Sequence, residues 1–439
     1  MSPEMIGLIG FGFLFLLMYL GMPIGFCMAL TGFLGNVFLF GWKGGISQLG
    51  MVPYATVASF TLSIIPLFML MGNLSFAAGL SENAYSFVYR LFGHLRGGLA
   101  MATVGACAIF AACTGNSIAA ATTMAHVAMP EMRKYKYSPV LATGSIAAGG
   151  TLGMLIPPSA PLILYSILTG ASIGRLWLAG ILPGMLLIFL FCITISIVTK
   201  VKPEMGPAGE RATFHDLLRG AAAMWKVALL VGIVLGGLWG GFFTPSQAGA
   251  VGSTIALLIL IAKRKRQSIG DIITALRGTV KSVAMIFMMV IGAMILGDFM
   301  TASQLPAYLV KIITDYQLSP MLVIIALMGA YIILGAFTDE LAIALITIPI
   351  LMPALEAMNI NTVWFSILLV INQQMGMILP PVGILVFILA GMIEDVPMYS
   401  IYRGILPFAL AMLVAIVLIM LIPQIALLLP NLLMPSKLI

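Results

Sequence analysis

The stretch Gly-Met-Leu-Ile-Pro-Pro at residues 153–158 returns as Gly-Met-Ile-Leu-Pro-Pro at residues 376–381, which is 223 residues later. Each copy is followed by Gly-Ile-Leu-Pro, at residues 180–183 and 404–407. The chain is therefore predicted to be an internal duplication. Apolar segments that Gly and Pro interrupt at matching places of two halves are the best sequence indication of a secondary transporter's binding site.

The composition predicts a protein embedded in a lipid bilayer. The chain is 62% hydrophobic and 8% charged, and each membrane-spanning helix needs about 20 predominantly apolar residues. The net charge is +7, but the basic residues form short clusters between apolar runs, which is typical of topology determinants. We therefore expect no nucleic-acid partner.

Ten apolar runs have the length and the polar borders of membrane crossings. With the N-terminus outside, 17 of the 21 basic residues fall in cytoplasmic connections, and the positive-inside rule then places both termini outside. Two longer runs, 97–130 and 320–355, do not fit the count. The ten predicted crossings are residues 5–20, 23–40, 56–78, 139–170, 176–199, 226–242, 246–262, 282–300, 362–393 and 404–429.

The sequence predicts an all-α polytopic membrane protein, and the duplication predicts two repeats of inverted topology within it. Each half contains five crossings, and an odd number returns the chain on the opposite side of the membrane, so the second half is inverted. We place the first repeat at residues 1–200, a cytoplasmic connector at 201–225 and the second repeat at 226–439.

Two short helices are expected at the cytoplasmic surface. Thr213, followed three residues later by Asp216, resembles a capping box that opens the first helix inside the connector. The second helix is expected from Ser268 to Lys281. Such helices either brace a moving domain against the bilayer or only anchor the chain.

Each of the two apolar runs that are not among the ten predicted crossings is predicted to form a re-entrant hairpin. Run 97–130 would be about 50 Å long as one helix, whereas two full crossings need about 40 residues and a turn. Its middle holds turn and cap residues around Gly115, and basic residues flank both ends. The partner run, 320–355, bends at residues 337–340 and, being inverted, enters from outside.

The segment after each hairpin is predicted to unwind midway. Pro157-Pro158 in segment 139–170 and Pro380-Pro381 in segment 362–393 remove backbone donors and disfavour helix just before them. Irregular backbone at membrane depth is tolerated only inside protein or beside a wet cavity. The two breaks therefore mark a candidate site.

A break of this kind suits a cation and a carboxylate together. Unwound carbonyls and half-helix C-termini suit Na⁺, whereas half-helix N-termini suit an anion. The sequence predicts one Na⁺ site in each half. The first comprises Thr114, Asn116 and Ser117 with carbonyls of Gly150 and Gly153, and the second comprises Thr338 and Asp339 with carbonyls of Gly376 and Pro380.

Asp339 is the first choice among the polar residues, because a carboxylate inside an apolar run is costly and function is the default hypothesis. In this hypothesis the Asp339 carboxylate binds a cation or the substrate. The alternative is that it binds neither and only reaches water at the tip of the hairpin. Gln373 is predicted to bind substrate, with hydrogen bonding between helices as the alternative. Ser117 and Ser159 complete the predicted substrate site.

The remaining polar residues carry weaker signals. His94, His126 and His215 are not spaced as metal ligands or placed beside a nucleophile. The single GxSxG match, at residues 170–174, lies between two predicted membrane crossings and does not follow a strand, and no membrane aspartates are paired, so we do not expect an enzyme. Asp298, which matches Asn73 of the first half, is expected either to serve the site or to cap a helix near the outer surface.

These motifs resemble the large membrane subunit of the tripartite ATP-independent periplasmic (TRAP) transporters. The resemblance covers almost the whole chain. It is carried by residues 114–117 (Thr-Gly-Asn-Ser), 129–132 (Met-Pro-Glu-Met), 148–159, 172–174, 179–184, 337–342 and 376–383.

The resemblance implies a Na⁺-driven elevator importer in the bacterial inner membrane, with periplasmic termini and two or more transported Na⁺ ions. It implies a carboxylate substrate such as a C4-dicarboxylate or a sialic acid, a small four-helix membrane subunit and a periplasmic substrate-binding protein. The family's first hairpin tip usually reads Gly-Ser-Ser, whereas Asn116 precedes Ser117 here, and an amide can still ligate Na⁺. The alternative is a divalent-anion/Na⁺ symporter that needs no binding protein.

Overall fold

The computed structural model describes residues 2–209, 211–263, 268–336, 338 and 340–434. Within these residues the chain forms twenty α-helices, three short 3₁₀ helices and no strand. The α-helices in chain order are α1 (Pro3–Tyr19), α2 (Ile24–Val57), α3 (Ile64–Ala77), α4 (Leu80–Phe92), α5 (Gly98–Thr114), α6 (Ser117–Lys134), α7 (Pro139–Thr151), α8 (Ala160–Thr169), α9 (Ile173–Val201), α10 (Phe214–Ala223), α11 (Trp225–Trp239), α12 (Pro245–Lys263), α13 (Ser268–Ala302), α14 (Leu305–Asp315), α15 (Pro320–Gly335), α16 (Glu340–Ala357), α17 (Thr362–Ile378), α18 (Ile384–Met392), α19 (Met398–Leu421) and α20 (Gln424–Leu433).

The second half repeats the helix order of the first. In each half four helices precede a hairpin (α5 and α6, or α15 and α16), and a broken helix follows (α7 and α8, or α17 and α18). The packing is reciprocal, since α3 packs on α12 and α13 packs on α2. The predicted fold class is confirmed: an all-α polytopic membrane protein of inverted repeats with two re-entrant hairpins and two unwound helices. The repeat boundaries stay predictions.

Glycine allows the closest helix contacts between the halves. A Cβ on Gly32 of α2 would lie 2.6 Å from the backbone of Ile295 in α13, and one on Gly144 of α7 would lie 2.4 Å from the carbonyl oxygen of Gly404 in α19. Membrane helices approach closely through small residues, because lipid tails provide no hydrophobic drive between apolar helices. These two contacts join the halves at separate places.

Six described helices are long and apolar enough to cross a membrane alone, namely α2, α9, α12, α13, α16 and α19. Two bent pairs, α3 with α4 at 66° and α10 with α11 at 46°, bring the number to eight. One of the eight, α16, belongs to the second hairpin, so length and composition recover seven of the ten predicted crossings. The reason is that α1 has only 17 residues and that the broken helices are divided into short halves.

The expected surface helix from Ser268 to Lys281 is wrong as a separate element, because α13 continues to Ala302. No proline or turn cluster interrupts the chain at Lys281, so nothing in the sequence ends the helix there. Asp298 lies inside the same helix, so its expected alternative role as a helix cap is also wrong.

The connector helix begins as predicted. Thr213 and Asp216 form a reciprocal capping box, with N–H to side-chain oxygen distances of 3.1 and 3.2 Å, at the start of α10. α2 is longer than predicted and extends to Val57. Its backbone turns at Gly41, which has φ 76° and ψ 175° inside the helix.

Candidate functional site

The tip of the first hairpin is a two-residue turn between α5 and α6. Gly115 has φ 59°, and a Cβ there would lie 2.4 Å from the carbonyl oxygen of Pro158, so only glycine fits. Asn116 is the N-cap of α6, where its Oδ1 accepts the Ala119 N–H at 3.0 Å. The tip therefore rests against the break of the next helix.

The first break is an irregular segment between α7 and α8, as predicted. Its Pro157–Pro158 peptide bond is cis. Ser159 is the N-cap of α8, and its hydroxyl donates to the Met154 carbonyl oxygen across the break. A Cβ on Gly153 would lie 2.8 Å from the Asn116 carbonyl group, so the break and the hairpin tip are in backbone contact.

This contact brings the first predicted cation group together. Gly153 lies against the backbone of Asn116 and Ser117, Gly150 lies one helical turn away against α6, and Thr114 ends α5. The side-chain oxygen of Asn116 already caps α6, so hydroxyl and backbone carbonyl oxygens are better placed to ligate an ion. Na⁺ binding by this group stays a prediction.

The second hairpin and the second break repeat the contact. A Cβ on Gly376 of α17 would lie 2.7 Å from the Cα of Gly335, the last residue of α15. Thr338 follows at the tip, and its hydroxyl donates to a carbonyl oxygen in the last turn of α15 at 2.8 Å. The Pro380–Pro381 bond is cis. Asp339 lies outside the described residues.

Three buried amides, Asn372, Gln373 and Gln374, fill the part of α17 that leads to the break. The Nδ2 of Asn372 donates to a carbonyl oxygen of α15 at 2.8 Å. The Oε1 of Gln373 accepts the hydroxyl of Tyr165 in α8 at 2.6 Å. The amides thus join α17 to both halves of the molecule.

Three of the four predicted substrate residues are inaccessible in this conformation. Ser117 and Ser159 are fully buried and Gln373 is 2% exposed, and each makes a hydrogen bond within the protein. The fourth is Asp339. Tyr165 was not predicted, because nothing distinguishes it from other aromatic residues in apolar runs.

Gln374 joins the two hairpin tips. Its Oε1 accepts the Ser117 hydroxyl at 3.0 Å, and its Nε2 donates to Oε2 of Glu340 at 2.9 Å. Ser117 begins α6 and Glu340 begins α16, and none of the three residues is more than 3% exposed. This set, the Ser117–Gln374–Glu340 relay, is a continuous hydrogen-bonded path between the halves.

A polar cavity of about 390 Å³ lies beside the first hairpin tip, between α3, α6 and α13. None of its described lining residues is charged. Asn73 was noted in the sequence only as the match of Asp298, and its Nδ2 donates to Oγ1 of Thr279 in α13 at 2.9 Å. Thr122 follows Asn116 by six residues, which is not a spacing that places two side chains on one helical face, so nothing in the sequence indicated it. The polar lining residues are Asn73, Thr114, Asn116, Thr122, Thr123 and Ser282.

A second cavity and the potential metal ligands that the structure describes do not offer comparable chemistry. A second cavity of about 380 Å³ lies between α1, α14 and the second hairpin, but its described lining is mainly aliphatic and aromatic, and the hydroxyls of Tyr331 and Thr347 hydrogen-bond each other. Among the described residues, no three His, Cys, Asp or Glu side chains are grouped as a metal site would require. The polar cavity and the relay are therefore the candidate functional sites.

Sequence comparison identifies one family. The family described as "Tripartite ATP-independent periplasmic transporter, DctM component" matches residues 11–425. The C4-dicarboxylate TRAP transporter large permease protein DctM of Pseudomonas aeruginosa is 32% identical over 387 residues, which cover 88% of this chain and 90% of that protein. The sialic acid TRAP transporter large permease protein SiaM of Vibrio cholerae is 30% identical over 425 residues, with coverages of 96% and 97%.

The fold is also similar to a solved structure. The crystal structure of the Alcanivorax borkumensis YdaH transporter, described as having an unusual topology, matches with a TM-score of 0.62. The match covers 86% of this chain and 88% of that chain. At 16% sequence identity, the likeness concerns the fold alone.

Proposed function

Because the chain belongs to the DctM component family of the tripartite ATP-independent periplasmic transporters, we propose that it is the large permease of a Na⁺-coupled importer of an organic carboxylate. The observation that carries the proposal is the match, along nearly the whole chain, to large permeases named for C4-dicarboxylates and for sialic acid. Both classes of compound are carboxylates. We place the protein in the bacterial inner membrane, with both termini in the periplasm.

The proposal includes two protein partners, a small four-helix membrane subunit and a periplasmic substrate-binding protein. Among the described residues, the longest connection between α-helices runs from residue 202 to residue 213. A segment of that length cannot form a ligand-binding domain, since independent domains need at least about 40 residues. High-affinity capture of the substrate is therefore assigned to a separate protein.

Sodium coupling is proposed from the chemistry of the two contacts between a hairpin tip and a helix break. Each contact collects hydroxyls and irregular backbone, which provide the oxygen ligands that suit Na⁺. Moving a monoanion into an interior-negative cell costs about 2.3 kcal/mol per 100 mV, and each Na⁺ that enters with it returns about that much. Two Na⁺ ions, one in each half, make the import of a monoanion favourable.

The polar cavity is the proposed position of the substrate. The amides of Asn73 and Asn116 and the hydroxyls of Thr123 and Ser282 can donate to a carboxylate, whereas the other two lining hydroxyls already donate to carbonyl oxygens of their own helices. The cavity lies where the first hairpin meets α3 and α13. Both hairpins, both broken helices, α9 and α19 pack on one another as a group. We propose that the group formed by the hairpins, the broken helices, α9 and α19 moves as a unit past a scaffold that contains α2, α3, α12 and α13.

Uptake into proteoliposomes tests the proposal. The chain is reconstituted with its small subunit, and labelled C4-dicarboxylates and sialic acids are presented with the cognate binding protein. We expect uptake to require both the binding protein and an inward Na⁺ gradient, with K⁺ unable to replace Na⁺. Robust uptake by this chain alone, without a binding protein, would instead favour a divalent-anion/Na⁺ symporter.

A further inference from the structure

The side-chain amide of Gln374 donates to one partner and accepts from the other. Its Nε2 group donates to Oε2 of Glu340 at 2.9 Å. The Oε1 atom then faces Ser117 at 3.0 Å, and Ser117 must donate its only O–H to it. The lone pairs of the Ser117 oxygen are left for another partner.

Both ends of the relay adjoin a predicted cation group. Ser117 belongs to the first group, and Glu340 lies two residues after Thr338 of the second. A cation that draws electron density from the Ser117 oxygen makes its O–H a stronger donor, and bonds in a chain polarise one another. The relay is almost completely buried, so water does not compete and the low dielectric strengthens each bond.

We propose that the Ser117–Gln374–Glu340 relay makes cation binding at the two hairpin tips cooperative, and that Gln374 is the positioning residue on which this coupling depends. The inference rests on the proposed Na⁺ coupling. A cation at the first tip fixes Ser117 and Gln374 in the orientation that allows Gln374 to donate to Glu340. This hydrogen bond holds the second tip in the conformation that binds a cation. By linkage, a cation at the second tip favours the first equally.

A purely structural role for the same hydrogen bonds leads to a different expectation. Bonds that only hold α6, α16 and α17 together would lower the thermal stability when removed, and the shape of the Na⁺ dependence would not change. The steepness of Na⁺ dependence, expressed as a Hill coefficient, therefore separates coupling from simple adhesion between helices.

The test compares Gln374→Met with Ser366→Ala in the complete reconstituted complex. Methionine keeps the length of the side chain and removes both hydrogen bonds, whereas Ser366 is buried on the same helix and its hydroxyl donates only within that helix, at 2.7 Å. For Gln374→Met we expect the Hill coefficient for Na⁺ to fall from above 1 to 1. The half-saturating Na⁺ concentration should rise by about 5- to 150-fold, the usual range of coupling between sites. Ser366→Ala should keep both wild-type values.

Thermal unfolding of the purified complex over a series of Na⁺ concentrations provides a readout that needs no transport, since an ion that binds the folded state raises its melting temperature. Glu340→Gln provides a second variant, because an amide at this position allows Gln374 to reverse its orientation. We expect both variants to flatten the Na⁺ dependence of melting. A wild-type Hill coefficient in both would overturn the relay and leave the proposed function intact. If the wild-type complex shows no Na⁺ dependence, the proposed function fails and the relay fails with it.

Discussion

Gly153 and Gly376 occupy the same place in the two halves, where a broken helix meets a hairpin tip. An added Cβ would lie 2.8 Å from the Asn116 carbonyl group in the first case and 2.7 Å from the Cα of Gly335 in the second. The neighbour is backbone in both cases and cannot rotate away. Any side chain at either position must therefore displace a hairpin tip.

Gly153→Ala and Gly376→Ala are expected to lower the melting temperature of the complex and to reduce Na⁺-dependent uptake strongly. Gly329→Ala in α15 is the matched control, because no atom lies within 4 Å of the added Cβ. Alanine there should be neutral or stabilising by about 0.5–1 kcal/mol, as expected for a helix interior. Melting curves in which Gly153→Ala behaves like Gly329→Ala would show that the tip does not require this contact.

Thr338→Ala tests the second predicted cation group. Removing the hydroxyl should raise the half-saturating Na⁺ concentration by about 10- to 100-fold, the usual effect of removing a supporting group from a metal site. Thr338→Ser keeps a hydroxyl and should stay close to the wild type. Asp339→Asn is expected, from the sequence alone, to abolish or strongly reduce uptake. An unchanged Na⁺ dependence in Thr338→Ala would remove this residue from the site.

The repeat pattern predicted which residues lie near the two helix breaks. It did not predict which amide side chain of α17 joins the two hairpin tips. Gln373 and Gln374 are neighbours on a helix and point in directions about 100° apart, and only packing shows that Gln374 faces Ser117 and Glu340. Tyr165 had no signal, because its partner Gln373 is 208 residues away in the sequence.

Among the elements, the hairpins and broken helices were predictable because their lengths and their Gly and Pro residues conflict with simple crossings. The prediction missed the continuity of α13. Its 35 residues make a rod of about 52 Å, well beyond the hydrocarbon thickness of about 30 Å. Its polar first turns resemble a separate surface helix, although no stop signal follows them.

The contact between α3 and α13 forms one wall of the polar cavity, and Thr279→Val tests it. Valine has nearly the same shape as threonine but cannot accept the hydrogen bond from Asn73. We expect a loss of about 0.6 kcal/mol, the average for hydrogen bonds between membrane helices. Thr274→Val is the control, because its exposed hydroxyl donates only within α13. Equal melting temperatures for the two variants would show that the bond does not stabilise the wall.

For the whole molecule, inverted repeats place equivalent connections of the two halves on opposite sides of the membrane. The connection between α4 and α5 is predicted to be cytoplasmic, and its counterpart between α14 and α15 periplasmic. Leu95→Cys and Tyr316→Cys place exposed thiols in them, at residues that are 39% and 75% exposed. Cys27, Cys107 and Cys113 are buried and Cys192 is half-buried, so background labelling should be low.

A membrane-impermeant thiol reagent should label Tyr316→Cys from the periplasmic side and Leu95→Cys only after the membrane is opened. Labelling of both from the same side would contradict inverted repeats. A thiol at Ser436, which lies outside the described residues, should be labelled from the periplasm if the C-terminus has the predicted location.

The architecture of the whole chain could be predicted because the duplication, the hydropathy and the family motifs all indicate the same fold. The substrate could not be predicted in the same way. The described lining of the polar cavity consists of neutral amides, hydroxyls and apolar groups, which do not distinguish a dicarboxylate from a sugar acid. Selection between such substrates is assigned in our proposal to the binding protein.

Parallel uptake of radioactive Na⁺ and labelled substrate into the same proteoliposomes tests the central claim most directly. In the presence of the binding protein, we predict that both enter together, at a constant ratio of at least two Na⁺ per carboxylate. For a monoanionic substrate, an interior-negative potential should accelerate both, because two Na⁺ ions with one monoanion carry a net positive charge inward. Substrate accumulation without Na⁺ entry would contradict the account.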